Sequence, residues 1–217
     1  MDMVGTYLFD LDGTLCDSRP GLLHAQRAAF VALGIETDID PALFLGAPLP
    51  MVFRKLMPGV DEIDIAYGMR KFREAYEHNG LYQSPLYPGA AGLLAGLKAA
   101  GKGVWLATSK PKVYAEQILQ HLQIADYFDG VAAAGLDEKD TKTTLIASVL
   151  QSCGHGPDQC LMLGDRAFDV IGALENGVTP VGALWGYGSR DELAEAGCAH
   201  FAKDIAEFRA RFGLDTA

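Results

Sequence analysis

What most constrains this chain of 217 residues is a rhythm of short apolar runs, each too brief for a helix and several closing on polar residues. Tyr7-Leu8-Phe9, Val104-Trp105-Leu106-Ala107, Cys160-Leu161-Met162-Leu163 and Pro180-Val181-Gly182-Ala183 read as buried strands, with a weaker one at Val131-Ala132-Ala133. Between them, apolar residues return at helical spacing: Leu93, Leu94 and Leu97, then Val113, Ile118, Leu119 and Leu122, then Leu145, Ile146, Val149 and Leu150, then Ala167 to Asn176. Ser189 with Glu192 has the spacing of a capping box opening a further helix, and Asp204 is placed to cap the last. Strands alternating with helices predict an α/β fold, a parallel sheet with helices on both faces. In such sheets ligands gather outside the carboxyl ends of the strands.

One block breaks the rhythm. After the first strand comes a helix, with Ser18 as cap, Pro20 in the first turn, apolar positions Leu22, Leu23, Ala29, Phe30 and Leu33, and Gly34 as stop. From Ile35 to about Pro85 no convincing strand follows. Pro41, Pro48, Pro50 and Pro58 break that stretch into short helical pieces, and Ile63 to His78 is a charged amphipathic helix. The expectation is a helical insertion, residues 17–85, into a core made of residues 1–16 and 86–217.

Composition narrows the partners. With 49% hydrophobic and 21% charged residues the chain can bury a sizeable core. A formal charge of −10, from 18 basic and 28 acidic residues, argues against nucleic acid or an anionic membrane as partner. No run approaches a membrane span and the start lacks a signal-peptide pattern, so a cytoplasmic protein is expected, monomer or homodimer. Cys16, Cys153, Cys160 and Cys198 form no CxxC pair and read as reduced thiols, and Cys153, His155 and Cys160 match no zinc spacing.

The strand ends carry the chemistry. Asp10 and Asp12 follow the first strand, with Gly13 as a turn signal. In a continuing strand they share a face, where like charges are costly without a cation or a shared proton. An Asx-type turn would account for them as well as a nucleophile, a proton-transfer acid and a bound Mg²⁺ would. Thr108 and Ser109 end another strand and would ordinarily be helix caps. Gly164-Asp165 ends a third, with Asp169 one turn on. Lys142 opens a helix, the wrong end for a cation unless an anion meets it. Taken together these are the needs of a phosphoryl group: a nucleophile, a proton donor, Mg²⁺ and donors for phosphate oxygens.

Asp10-x-Asp12-Gly13-Thr14, Thr108, Lys142 and Gly164-Asp165-x-x-x-Asp169 resemble, in order, the four motifs of the haloacid dehalogenase-like (HAD) hydrolase superfamily. The resemblance covers essentially the whole chain. It implies a Rossmann-like core with an inserted helical cap. Asp10 would then form an aspartyl-phosphate, and Asp12 would protonate the leaving alcohol, activate water and lend its backbone carbonyl to the metal. Thr108, Ser109 and Lys142 would hold phosphate, and Asp165 would join Asp10 at Mg²⁺, with Asp169 as a second ligand or a supporting acid. Lys139 competes with Lys142, which is preferred because a helix starts beside it.

Gly46-Ala47-Pro48-Leu49, Tyr87-Pro88-Gly89, Thr108-Ser109-Lys110-Pro111 and Tyr127-Phe128-Asp129 are similar to the phosphoglycolate phosphatase-like branch, including its 5′-nucleotidase-type members. The implied activity is hydrolysis of a small phosphate monoester. A β-phosphoglucomutase-like phosphomutase is the alternative, against which Thr14 speaks, since that pattern carries an aliphatic residue there. Dehalogenases lack a carboxylate at the Asp12 position, and a phosphonatase would need a cap lysine such as Lys55. A regulatory module on a dead scaffold would have lost Asp10 or Asp165. Arg54, Lys55, Arg70 and Arg73 read as a solvated helix face, and Gly186-Tyr187-Gly188 as a plain loop.

Overall fold

The computed structural model describes residues 4–36, 49–136 and 140–212. Among these, the apolar runs become β1 (Thr6–Phe9), β2 (Gly103–Pro111), β3 (Gly130–Ala134), β4 (Cys160–Gly164) and β5 (Thr179–Ala183), joined by β6 (His200–Ala202). All pair parallel, in the order β3-β2-β1-β4-β5-β6. Three residues are too few to show a strand period, which is why β6 has no signature in the sequence. The architecture is the expected one: a Rossmann-like α/β fold.

Register decides where the site lies. Phe9 stands opposite Leu106 on one side and Leu163 on the other, so β1, β2 and β4 end side by side. The Asp10 N–H continues the ladder to Leu163 O at 3.0 Å. The chain leaves β1 toward β2 and β3, then returns to β4 on the opposite flank. That reversal opens a crevice at the carboxyl ends of β1 and β4.

Helices α4 (Ala90–Ala99), α5 (Lys112–His121), α6 (Lys142–Leu150), α7 (Ala167–Glu175), α8 (Arg190–Glu195) and α9 (Ile205–Arg211) alternate with the core strands. Ile146 and Val149 of α6 and Ala173 of α7 pack on Leu8, Ala107 and Met162, all buried. Removing a large aliphatic side chain from such a cluster costs about 2–5 kcal/mol. α6 is capped by Thr141, whose hydroxyl accepts from the Thr144 N–H. Ser189 caps α8 as its spacing suggests. The Glu192 carboxylate, however, turns away from that box to accept from Arg166 Nε and the Ala167 N–H, at 2.8 and 3.0 Å, tying α8 to the start of α7.

The chain divides into two compact units, one of Met1–Asp17 with Leu86–Ala217 and the other Ser18–Pro85. The second is helical: α1 (Arg19–Ala32), α2 (Leu49–Leu56) and α3 (Glu62–His78) close over Ala29, Phe30, Val52, Phe53 and Ile65. Ser18 stands at the start of α1 without a side-chain cap bond, whereas Asp61 caps α3 through the Asp64 N–H. The two chain crossings are stitched together within the core unit, by an antiparallel bridge between Cys16 and Leu86 and by the Tyr87 N–H on Leu15 O. Residues 46–48 and Lys139 lie outside the described residues. Among those described, no helix is long and apolar enough to cross a membrane.

Candidate active site

Asp10 leaves the fully buried β1 and meets Lys142, which stands on the first residue of α6. The ammonium lies 2.8 Å from Asp10 Oδ1, 2.8 Å from Asp169 Oδ1 and 2.8 Å from Ala107 O. This is the anionic partner that a lysine at a helix N-terminus requires. Burial opposes its charge, but Asp10 and Asp169 outweigh that and hold Lys142 above the ordinary lysine range. Asp169, in the first turn of α7, also accepts the Arg166 N–H at 3.0 Å and so satisfies an otherwise orphaned donor of that helix.

Asp165 follows β4 and is fully buried. Its Oδ1 accepts from the Thr14 hydroxyl at 2.9 Å and its Oδ2 from the Tyr187 N–H at 2.7 Å. Gly13, at φ +85°, passes so close that a Cβ there would fall 2.3 Å from Asp165 Oδ2, so the turn after Asp12 needs glycine twice over. The segment Trp185–Gly188, which reads as a plain loop in the sequence, wraps this carboxylate. Trp185 Nε1 donates to Thr14 O at 2.9 Å, and a Cβ on Gly186 would sit 2.2 Å from Asp165 Cβ. The one signal available in the sequence was the pair of glycines flanking Tyr187, which marks close approach of backbone to something.

Asp10, Asp165 and Asp169 each offer a carboxylate oxygen, and these lie within 4.8 Å of one another, all buried. Three carboxylates face one ammonium. The mismatch shows at Asp165, which burial, then Asp10 and Asp169, push up to about 7. Burial likewise raises Asp169 to about 6, with Lys142 pulling against it. Hard oxygen donors with excess negative charge suit a hard divalent cation, and this donor set could hold one.

Asp12 points to a different cation. Its Oδ2 is 2.7 Å from Nζ of Lys110, a side chain only 5% exposed. β2 runs on to Pro111 rather than closing at Thr108 and Ser109; Thr108 is buried within it, its hydroxyl accepting the Lys110 N–H at 3.3 Å, while Ser109 is exposed. Of the residues singled out in the sequence, Asp10, Asp165, Asp169 and Lys142 are thus drawn into one cluster. Asp12, just past β1, and Thr108, in β2, are joined through Lys110. The Ser109 side chain makes no hydrogen bond to any of them among the described residues.

A model of haloacid dehalogenase-like hydrolases matches residues 7–183. The chain belongs to this family. A 5′-nucleotidase of Pseudomonas aeruginosa is 37% identical over 205 residues, covering 93% of this chain and 92% of that protein. The tyrosine-protein kinase PtkA of Mycobacterium tuberculosis is 34% identical over 95% of this chain and 72% of its own length. A phosphoglycolate phosphatase of Pseudomonas fluorescens is 30% identical over 87% of this chain and 72% of its length. Among solved structures, a haloacid dehalogenase-like family protein of Streptococcus pneumoniae superposes with a TM-score of 0.86 at 28% identity, over 98% of this chain and all of that one.

For this HAD-like hydrolase the cradle around Asp165 makes a sharp test. In Gly186→Ala the new methyl must displace Asp165 or the loop, because it would fall on Cβ, Cγ and Oδ2 of that buried side chain, whose carboxylate Thr14 and Tyr187 hold in place. The expected cost is about 1–3 kcal/mol in a urea melt. A Mg²⁺ titration by calorimetry tests whether the same change weakens cation binding by the carboxylate cluster. An unchanged titration would mean that Asp165 takes no part in cation binding.

Proposed function

We propose that this HAD-like hydrolase is a Mg²⁺-dependent phosphatase that hydrolyses a small-molecule phosphate monoester through an aspartyl-phosphate on Asp10. The observation that carries the reading is the buried Asp10–Lys142–Asp169 contact beside Asp165, at the strand ends where this fold binds ligands. A buried carboxylate paired with a lysine is fixed in place and aimed, which a nucleophile needs.

Asp10, Asp165 and Asp169 would hold the metal, with the Asp12 backbone carbonyl as a further oxygen. Bound Mg²⁺ would supply the positive charge that lets a carboxylate approach a phosphate dianion. An oxygen of Asp10 attacks phosphorus while the bond to the leaving alcohol breaks, and Asp12 gives that alcohol its proton. In the second half Asp12 takes a proton from water, whose oxygen attacks phosphorus and frees Asp10 and inorganic phosphate. Lys142, which pairs with Asp10, and Thr108, buried in the neighbouring strand, are assigned to the phosphate oxygens. Ser109 is assigned to the same edge by motif position alone.

The Ser18–Pro85 unit is assigned as a cap, with the purpose of excluding water from the acyl phosphate. The relatives' names point to phosphoglycolate-like compounds or nucleoside monophosphates as substrates. The setting assigned is cytoplasmic, in keeping with four free cysteines.

The experiment is phosphate release from a panel of 2-phosphoglycolate, nucleoside monophosphates, sugar phosphates and p-nitrophenyl phosphate, with Mg²⁺ and with EDTA. Release confined to the Mg²⁺ arm and concentrated on one compound is the expected result. Isomerisation of β-glucose 1-phosphate without release would move the protein to the phosphomutases. Phosphate transfer from ATP to protein tyrosine, with no monoester cleaved, would place it beside PtkA instead.

A further inference from the structure

We propose that Lys110 is a positioning residue that acts through Asp12: it holds Oδ2, so that Oδ1 is the atom that exchanges protons with the alcohol and then with water. The inference rests on the phosphatase reading above. Lysine is almost never fully buried unless paired, yet the Lys110 side chain is 5% exposed and its Nζ lies 2.7 Å from Asp12 Oδ2. A register shift between Thr108 and Pro111, where β2 runs beside β3, accompanies the turn of Lys110 inward while Ser109 faces out.

The two oxygens of Asp12 are left in different states. Oδ2 has its ammonium, whereas Oδ1 is buried and has no hydrogen-bond partner among the described residues. A buried carboxylate oxygen without a partner is costly, and a proton or a reacting group resolves it. A proton on Oδ2 would lie against the ammonium, so the proton belongs on Oδ1. Without Lys110, rotation of the terminal torsion, which is broad and roughly two-fold, would exchange the oxygens. Holding one orientation is the kind of positioning from which proton transfer gains its rate.

The chemistry balances on that one atom. Asp12 Oδ1–H passes its proton to the bridging oxygen as the phosphorus–oxygen bond to the alcohol breaks and the bond to Asp10 forms. The Oδ1 carboxylate then takes a proton from water as the water oxygen bonds to phosphorus and the bond to Asp10 breaks. Asp12 is thereby returned to its protonated form.

The test uses leaving groups. A p-nitrophenolate departs without a proton, whereas an alkoxide cannot. Lys110→Met should lower kcat on the fastest alkyl monoester of the panel by about 30-fold or more, within the range of general-acid effects, with KM within about threefold. The p-nitrophenol burst rate should stay within about threefold of wild type, ahead of a slow steady state that lacks its base. Burst amplitude counts active sites, so incomplete folding does not enter the comparison. Lys110→Arg keeps the charge, but its fork engages both carboxylate oxygens, so it too should lose alkyl turnover selectively. Equal losses on both substrates, or an Arg variant indistinguishable from wild type, would overturn the positioning role. A wild-type protein without Mg²⁺-dependent release on any monoester would instead sink the phosphatase reading itself.

Discussion

Asp10→Asn is expected to abolish turnover, by about 10⁴-fold or more, the scale seen when a nucleophile acting in a unit is removed. The same substitution should leave the protein folded. Lys142 keeps Asp169 and Ala107 O as partners, and Asp165 and Asp169 lose the neighbour that adds to their repulsion. In EDTA the melting temperature should therefore stay within about 4 °C of wild type, or rise, since about 1 kcal/mol moves it by that much in a chain of this size. Phosphate release and a thermal melt on the same preparation check both halves. An active Asp10→Asn protein would refute the covalent route. An inactive but unfolded one would show that the pair with Lys142 is needed for the fold first.

Lys142→Met should do the opposite to stability. It leaves Asp10 and Asp169 facing Asp165 with no ammonium among them, and stranding buried charges in this way costs about 3–5 kcal/mol. The loss has a pH signature whose sign follows from the carboxyls. Burial and the neighbouring carboxylates push Asp165 up to about 7, and burial raises Asp169 against the pull of Lys142, both above an unfolded aspartate. Without the ammonium, Asp169 rises further, because Lys142 is what pulls it down. Between an unfolded aspartate's range and these raised values the folded state binds more protons, so stability increases as pH falls. Urea melts at pH 8 and pH 6 in EDTA should show part of the Lys142→Met loss recovered at the lower pH. A variant as stable as wild type at pH 8 would mean that the cluster is not held by this lysine.

The strands that build the site were legible because each is an apolar run closed by a polar residue, and a buried parallel strand leaves no other pattern. Asp10, Asp165, Asp169 and Lys142 could be picked out by their places at strand and helix ends. Lys110 could not. Its neighbour Ser109 has the better residue type for a strand end, and only the register shift in β2 decides which of the two turns inward. The Trp185–Gly188 segment was hidden for a related reason: its main contribution is a backbone N–H and the absence of two Cβ atoms. Glu192 was misjudged in its partner, because a capping-box spacing says nothing of an arginine that tertiary packing brings within reach.

The paired crossings at Cys16 and Leu86 bear on how such a chain diversifies. The excursion from Ser18 to Pro85 begins and ends on backbone already bonded across the gap, as the two arms of a hairpin are. Insertions are tolerated where the flanking backbone keeps its own hydrogen bonds. The helical segment can therefore be lengthened, trimmed or exchanged for another while every strand of the catalytic sheet stays in register. The helical unit and the sheet that carries the acidic cluster are thereby free to vary independently within a single polypeptide.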